Sequence, residues 1–600
     1  MQFPSIYRTI LRQPLERRGP ALCLAARLSS LHLVIRGTRL QRAAFGPSRV
    51  DRCERVGRAA LCPLSGGSTS AFVWDLLRCM KTQTPVRFDL WLPPTDLSPA
   101  EEVICKRMKK TGKLYAFLRR KRDVLFDEPF QRELLAMYSQ ESVGAPPVAP
   151  AMLAMVTLLQ AYERCSDADA VEQTVFDKRW QMVLNLPDNG EAGFAQGVLP
   201  AFRARLAQYG MDKRLLERSV EVARQTGEFS HKSLRVALDS SPLWGAGRVE
   251  DTFNLIGHAL AVVVACVAAA HDCKPAEIVA EAKLELVGGS STKAALDIDW
   301  NDDTAQHEAL QRLLGEVAKA QAWVETYPAR PEKNGPIQAA LATLHQVASQ
   351  DLEAKPRADG TRGIADGTVK DRRISIEDRD MRHGRKSSSQ LIDGYKRYVA
   401  VDIDADLIIA AAVLPANQAE AGGADIMRPD IEKQGVVSEL HIDRGFLASV
   451  WVAEHDAAGG EVFCKPWTAN NGDKLPKSAF QVDTNNQQVT CPAGQVATYT
   501  GKTAQFPAAV CATCTRKPSC TGSKAGRSVS IHRQEPLMQK LQLAVATPAG
   551  RKALRPRTAV EHRQAHNCRL QGPQARYIGT RKNDLDLRRC AAVCNLLQSA

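Results

Sequence analysis

The chain has 600 residues, of which 44% are hydrophobic, 24% charged and only 6% aromatic. Hydrophobic cores stop growing at about 250–300 residues, so two or three domains with insertions are expected, and this composition excludes a wholly disordered or collagen-like chain. Lys and Arg number 80 against 66 Asp and Glu, a formal net charge of +14, which points to a polyanionic partner.

The longest apolar run, Ala259–Ala270, falls short of the ~20 residues that a spanning helix needs. It reads as a buried core helix, and no integral membrane protein is expected. Sixteen cysteines in 600 residues do not make a disulfide scaffold. The isolated ones (Cys23, Cys53, Cys105, Cys165, Cys266, Cys273 and Cys464) read as buried thiols in a reducing compartment.

Residues 1–79 hold thirteen Arg, no Lys and four acidic residues. Without sustained periodicity they read as an unstructured or spurious extension before a start at Met80; an Arg-rich leader is the alternative. Residues 85–225 read as a helical domain. Ser98-Pro-Ala-Glu101 is a capping box with Pro at the first helical position. A basic amphipathic stretch follows, with Lys106, Arg107, Lys109, Lys110, Lys113, Arg119, Arg120, Lys121 and Arg122. An apolar helix over Pro150–Ala161, a polar turn over Ser166–Ala170 and a helix carrying Val171 to Leu184 complete the segment. Helix, turn and helix beside a basic stretch suit a DNA reader, with a solvated helical bundle as the plainer reading.

Residues 231–239 form a short strand that ends in Asp239. Helical periodicity returns over about 251–365, an insertion. Asp297 to Glu308 superficially imitates a calcium loop, but Asp302 stands where the sharp turn needs Gly; a helix start rich in Asp accounts for it better. Residues 355–393 are polar and read as a loop whose Arg372, Arg373, Arg385 and Lys386 are candidate phosphate contacts. Strands at Tyr395–Ile403 and Leu407–Leu414, joined by Asp404-Ala-Asp406, make a hairpin. A helix leads to a strand ending in Asp443, and another strand covers Glu461–Cys464. Helices follow at about Thr558–Gln571 and Leu585–Leu597. From Arg551 to the end, eleven Lys and Arg stand against three acidic residues.

Three acids carry the chemistry: Asp239, Asp443 and Glu561. An acidic residue ending an apolar strand is costly unless it faces solvent or a cation. Two such strands side by side would set two carboxylates in repulsion unless a hard divalent ion lies between them. Glu561 lies one helical turn from Arg557, with Arg563 beyond it, a surface ion pair or a cationic approach for phosphates.

These segments resemble the bacterial insertion-sequence transposases of the DDE type, in the branch with a cysteine cluster between the second Asp and the Glu. The matching stretches are Val236-Ala-Leu-Asp239-Ser-Ser-Pro-Leu243, Asp393-Gly-Tyr-Lys396, Ile442-Asp443-Arg-Gly-Phe446 and Arg557-Thr-Ala-Val-Glu561-His-Arg563. The chain departs at Leu554 and Cys568, where relatives with an extended signature carry Tyr and Lys or Arg. The resemblance implies an α/β, RNase H-like (retroviral-integrase-like) mixed sheet over residues 231–600, preceded by the all-α DNA-binding domain. It implies that Asp239, Asp443 and Glu561 are the catalytic triad and hold two Mg²⁺ or Mn²⁺ ions. It further implies cleavage at element ends and strand transfer into target double-stranded DNA, a homodimer in the active complex, and a cytoplasmic, nucleoid-associated location in a bacterium. Arg557 and Arg563 would steer the DNA backbone. The alternatives are a nuclease of the same fold without strand transfer, and a decayed copy that only binds DNA.

Four cysteines are clustered: Cys491, Cys511, Cys514 and Cys520. The CxxC pair can take two corners of a tetrahedral Zn²⁺, and two further thiolates close it. The module, about 466–533, is rich in Gly and Pro, so a structural metal would supply its folding energy.

Overall fold

The computed structural model describes residues 90–600, apart from 109–111, 139–146, 227–232, 288, 290, 387–389 and 468–470. The expectations for residues 1–79 and Met80, and for Lys109, Lys110, His231 and Lys232, lie outside the described residues. Helices dominate from Pro99 to Thr226. The first begins as expected: Ser98 Oγ accepts from the Glu101 N–H at 3.3 Å and Glu101 Oε2 from the Ser98 N–H at 2.8 Å. The expected polar turn at 166–170 is instead a helix start. Ser166 and Asp169 form a second capping box, because their side chains reach each other's backbone N–H groups at 3.0 and 2.8 Å. The helix expected over 171–184 is two helices, Asp167–Phe176 and Lys178–Leu184. Asp177 divides them by accepting from the Arg179 N–H at 2.7 Å as the cap of the second.

Two of the expected surface cations in the basic stretch face inward. Arg119 pairs with Glu101 at 2.6 Å, and Arg122 donates to the carbonyls of Pro94, Met182 and Val183. Both are only 2% exposed. They fasten helices together and are not part of a solvated or DNA-facing strip.

The sheet has six strands: β1 Leu234–Trp244, β2 Arg382–Arg385, β3 Leu391–Asp402, β4 Leu407–Pro415, β5 Val437–His441 and β6 Glu461–Phe463. β1 pairs antiparallel with β3 and parallel with β5, β6 continues parallel to β5, and β3 pairs antiparallel with β2 and β4. The expected β3–β4 hairpin is present. The segment 355–393 is not all loop, since β2 lies within it. β1 is longer than expected: it does not stop at Asp239 but runs five residues further against β3. Its other neighbour, β5, ends at the level of Ala237, so Pro242 meets only β3 and costs no ladder bond on the far side.

Both faces of the sheet are covered, which explains the continuous apolar runs of β3 and β4. Ala237, Val399, Val401 and Val413 join one core with Leu118, Leu153, Trp180 and the C-terminal helix Thr580–Ser599. Val236, Leu238, Ala400 and Ala412 join a second core with Met427, Phe446 and Trp451. The N-terminal helices and the sheet therefore share apolar packing. Asp212 pins them together, being 3% exposed and accepting from Arg581 at 2.8 Å and Arg588 at 2.6 Å.

The insertion has its own core. The helix Thr252–Ala270 is long and apolar enough to cross a membrane, yet Leu260, Val263, Val264 and Val267 are buried against the helices Asp303–Thr326 and Pro331–Gln350. Asp302 caps the former helix through the Thr304 N–H at 2.8 Å, in keeping with an Asp-rich helix start. The cysteine-rich module consists of short strands around Phe480, Val489, Phe506 and Val529.

Candidate active site

The parallel register of β1 and β5 pairs Ala237 with His441. Two residues onward in each strand direction stand Asp239 and Asp443, at the same level. Asp443 leaves the strand and caps a short 3-10 turn, accepting from the Arg444 N–H at 2.8 Å. Glu561 sits in the first turn of the helix Thr558–Gln571, which packs across β1 and β3.

One side chain joins all three. Arg557 Nη2 lies 3.0 Å from Asp239 Oδ1 and 4.0 Å from Asp443 Oδ2, and Nη1 lies 2.6 Å from Glu561 Oε1. Three acids separated by hundreds of residues thus face one guanidinium. The Asp239 side chain is mostly covered, whereas those of Asp443 and Glu561 are 53% exposed. Burial pushes the Asp239 carboxyl up to about 6, with Glu561 and Asp443 adding to the rise and Arg557 opposing it. Cys464 lies on the same side; burial pushes its thiol up to about 12, so it stays protonated beside the acids.

The arrangement is a cluster of carboxylate oxygens that already attracts positive charge. Oxygen donors of this kind suit Mg²⁺ or Mn²⁺, and the guanidinium stands in for cationic charge at their centre. Among the described residues, no group of three or more His, Cys, Asp or Glu is closed into a metal-holding constellation. That applies to the thiols as well, although Cys491, Cys511, Cys514 and Cys520 all line one cavity of about 30 Å³. All four are free, and Cys511 Sγ accepts from the Arg527 N–H at 3.5 Å.

The expected phosphate contacts divide. Arg372 holds Asp351 at 2.8 Å with both side chains at 10% exposure or less. Arg373 is buried and donates to the carbonyls of Ser375 and Ile376, both at 2.9 Å. Arg563 is buried and pairs with Asp406 on the β3–β4 turn. These three are turned into the fold, because each finds a carboxylate or carbonyl there, and they do not present a DNA-facing surface. Arg385, the last residue of β2, and Lys386 after it are exposed.

Several residues behind the acids had no motif to announce them. Ser241, two residues past Asp239 on the same face of β1, accepts from Arg397 Nε at 2.9 Å and Gln564 Nε2 at 2.6 Å. Its hydroxyl also meets Cys568 Sγ at 3.4 Å. Arg397 donates onward to Gln571 Oε1 at 3.0 Å and the Gly572 carbonyl at 2.8 Å. Gln564, Cys568 and Gln571 repeat at helical spacing on the face of the Glu561 helix that meets the sheet. That 4-3 spacing was the available signal. Glu420 is a further acid here, accepting from Ser240 Oγ at 2.7 Å. A Cβ at Gly445 would sit 1.6 Å from its Oε2, so the Glu420 side chain would have to move to admit one.

Two family models match the chain. A Transposase DDE domain matches residues 484–599, which include the four clustered cysteines and the Glu561 helix. A Transposase domain (DUF772) matches residues 105–205, the N-terminal helices. No curated protein and no solved structure matches. Two transposase models, on the helical segment and on the segment that carries the third acid, support an insertion-sequence DDE transposase.

Proposed function

We propose that the protein is a DNA transposase whose catalytic centre is Asp239, Asp443 and Glu561 on an RNase H-like sheet. The observation that carries this reading is the convergence of the three carboxylates on Arg557, at 3.0, 4.0 and 2.6 Å. The strand order β4-β3-β1-β5-β6, with only β3 running against β1, β5 and β6, supports the fold. The three acids would hold the divalent ions. Such ions, when bound, activate a water or a 3′-hydroxyl and stabilise the leaving oxygen of the phosphodiester.

The chain's own residues prepare that chemistry. β1 and β5 set two acids side by side, and the Ser241–Arg397–Gln564 hydrogen bonds dock the helix that brings the third. The exposed Arg385 and Lys386 would contact the DNA backbone, a sequence-independent attraction. The four cysteines would hold a structural Zn²⁺, since their thiols face one small cavity in a module with a very small core. Pairing two element ends implies a homodimer in the working complex.

The test is Asp443→Ala on element-end DNA. Cleavage is expected to fall by roughly a thousandfold or more while binding survives. Cleavage at the wild-type rate would remove Asp443 from the centre. A strand-transfer assay separates this reading from a nuclease of the same fold.

A further inference from the structure

Arg557 contrasts with the buried Arg588. Arg588 and Asp212 form an ion pair with side chains 5% and 2% exposed, a permanent part of the fold. Arg557 is 22% exposed, and two of its three acidic partners are more than half exposed. Its Nε has no hydrogen-bond partner among the described residues. It projects from a short 3-10 turn, Arg555–Arg557, at the start of the Glu561 helix. The contacts are therefore strong in charge yet open to solvent, and they occupy the carboxylate oxygens that a divalent ion would require.

We infer that Arg557 is an exchangeable positioning residue that couples DNA binding to metal binding. Its guanidinium holds the three carboxylates together until a backbone phosphate of the substrate draws it away. A phosphodiester offers two oxygens to the guanidinium fork, so the exchange replaces single-oxygen contacts to separate carboxylates with one bidentate contact. Release of the carboxylates then raises their affinity for divalent ions. By linkage, bound ions must strengthen DNA binding by the same factor. Without DNA, Arg557 both covers the oxygens and cancels part of their charge, so the centre is restrained from assembling. No bond forms or breaks in the exchange. This inference rests on the carboxylate centre proposed above and concerns its regulation.

The test is Mn²⁺ titration followed by the electron paramagnetic resonance of free Mn²⁺, with the full chain, with and without duplex DNA. Arg557→Gln is expected to bind Mn²⁺ on the order of tenfold tighter than the wild type in the absence of DNA. DNA is expected to tighten Mn²⁺ binding to the wild type but not to the variant. A merely structural role would weaken Mn²⁺ binding instead. Equal or weaker binding by Arg557→Gln, or the same response to DNA in both proteins, overturns the inference. Should that variant fail to fold, Arg557→Met, which likewise removes the charge and the fork, is read by the same signs. A separate arm adds Asp443→Asn to each protein. Loss of Mn²⁺ there upholds the carboxylate centre whatever Arg557 does. Retention of all Mn²⁺ removes the centre, and the inference with it.

Discussion

Arg397 and Ser241 are register partners across β3 and β1, and Arg397 Nε donates to Ser241 Oγ at 2.9 Å. The pair ties the strand of Asp239 to the helix of Glu561. Arg397 is 4% exposed, and all the acceptors named for it are neutral. Burying a guanidinium without an ion partner is costly, and here the hydrogen bonds to Ser241, Gln571 and Gly572 offset that cost. Arg397→Met removes the donors and leaves the Gly572 carbonyl unpaired. We expect a loss of about 2–4 kcal/mol in denaturant unfolding, with weaker Mn²⁺ binding. An unchanged unfolding midpoint would show that the network carries no weight.

Gly394, in the Asp393-Gly-Tyr-Lys396 stretch, has φ +146°, and a Cβ there would lie 2.3 Å from the Gly245 nitrogen and 2.6 Å from the Leu243 carbonyl. Both obstacles are backbone and cannot swing aside. Gly394→Ala is expected to cost about 2–4 kcal/mol by separating the ends of β1 and β3. Thermal unfolding checks it; a melting temperature equal to the wild type would contradict the close approach.

Glu101 provides a pH test. Its hydrogen-bonded pairing with Arg119, helped by the Ser98 cap and opposed by burial, holds its carboxyl down to about 2. The unfolded chain binds this proton more readily than the folded one. The contribution is therefore complete above the ordinary glutamate range and is lost as pH falls toward about 2. Glu101→Gln should flatten the acid limb of the stability curve relative to the wild type. Parallel acid limbs would refute the assignment.

The cysteine cluster gives a metal test. Cys511→Ser should lower the zinc bound per chain, measured by mass spectrometry of the purified protein, and reduce soluble yield. Zinc at the wild-type level in that variant would take the thiols out of the account.

Much of this was legible in the sequence because local rules act there. Ser98 and Glu101 announce a helix start by themselves, and the apolar runs on either side of Asp404-Ala-Asp406 announce a hairpin. The three acids stood out through the motifs around them, although Asp239 lies within β1 and not at its end. Long-range partners were not. Nothing near Arg119, Arg122 or Arg563 indicates that each is turned inward, because the acceptors, such as the Met182 carbonyl and Asp406, are distant in the chain. β1 looked complete at Asp239 because the Ser-Ser-Pro that follows disfavours strands; its pairing with β3 overrides that preference. Asp177 looked like one more polar helix residue, and only its bond to the Arg179 N–H reveals a break.

The central claim is that Asp239, Asp443 and Glu561 share one metal-holding centre. Crystals grown with Mn²⁺ and element-end DNA test it most directly, through anomalous diffraction recorded at the manganese edge. The account predicts anomalous peaks within coordination distance of all three carboxylates, with the Arg557 guanidinium moved onto a phosphate. Manganese bound elsewhere, with these side chains left unligated, would contradict it.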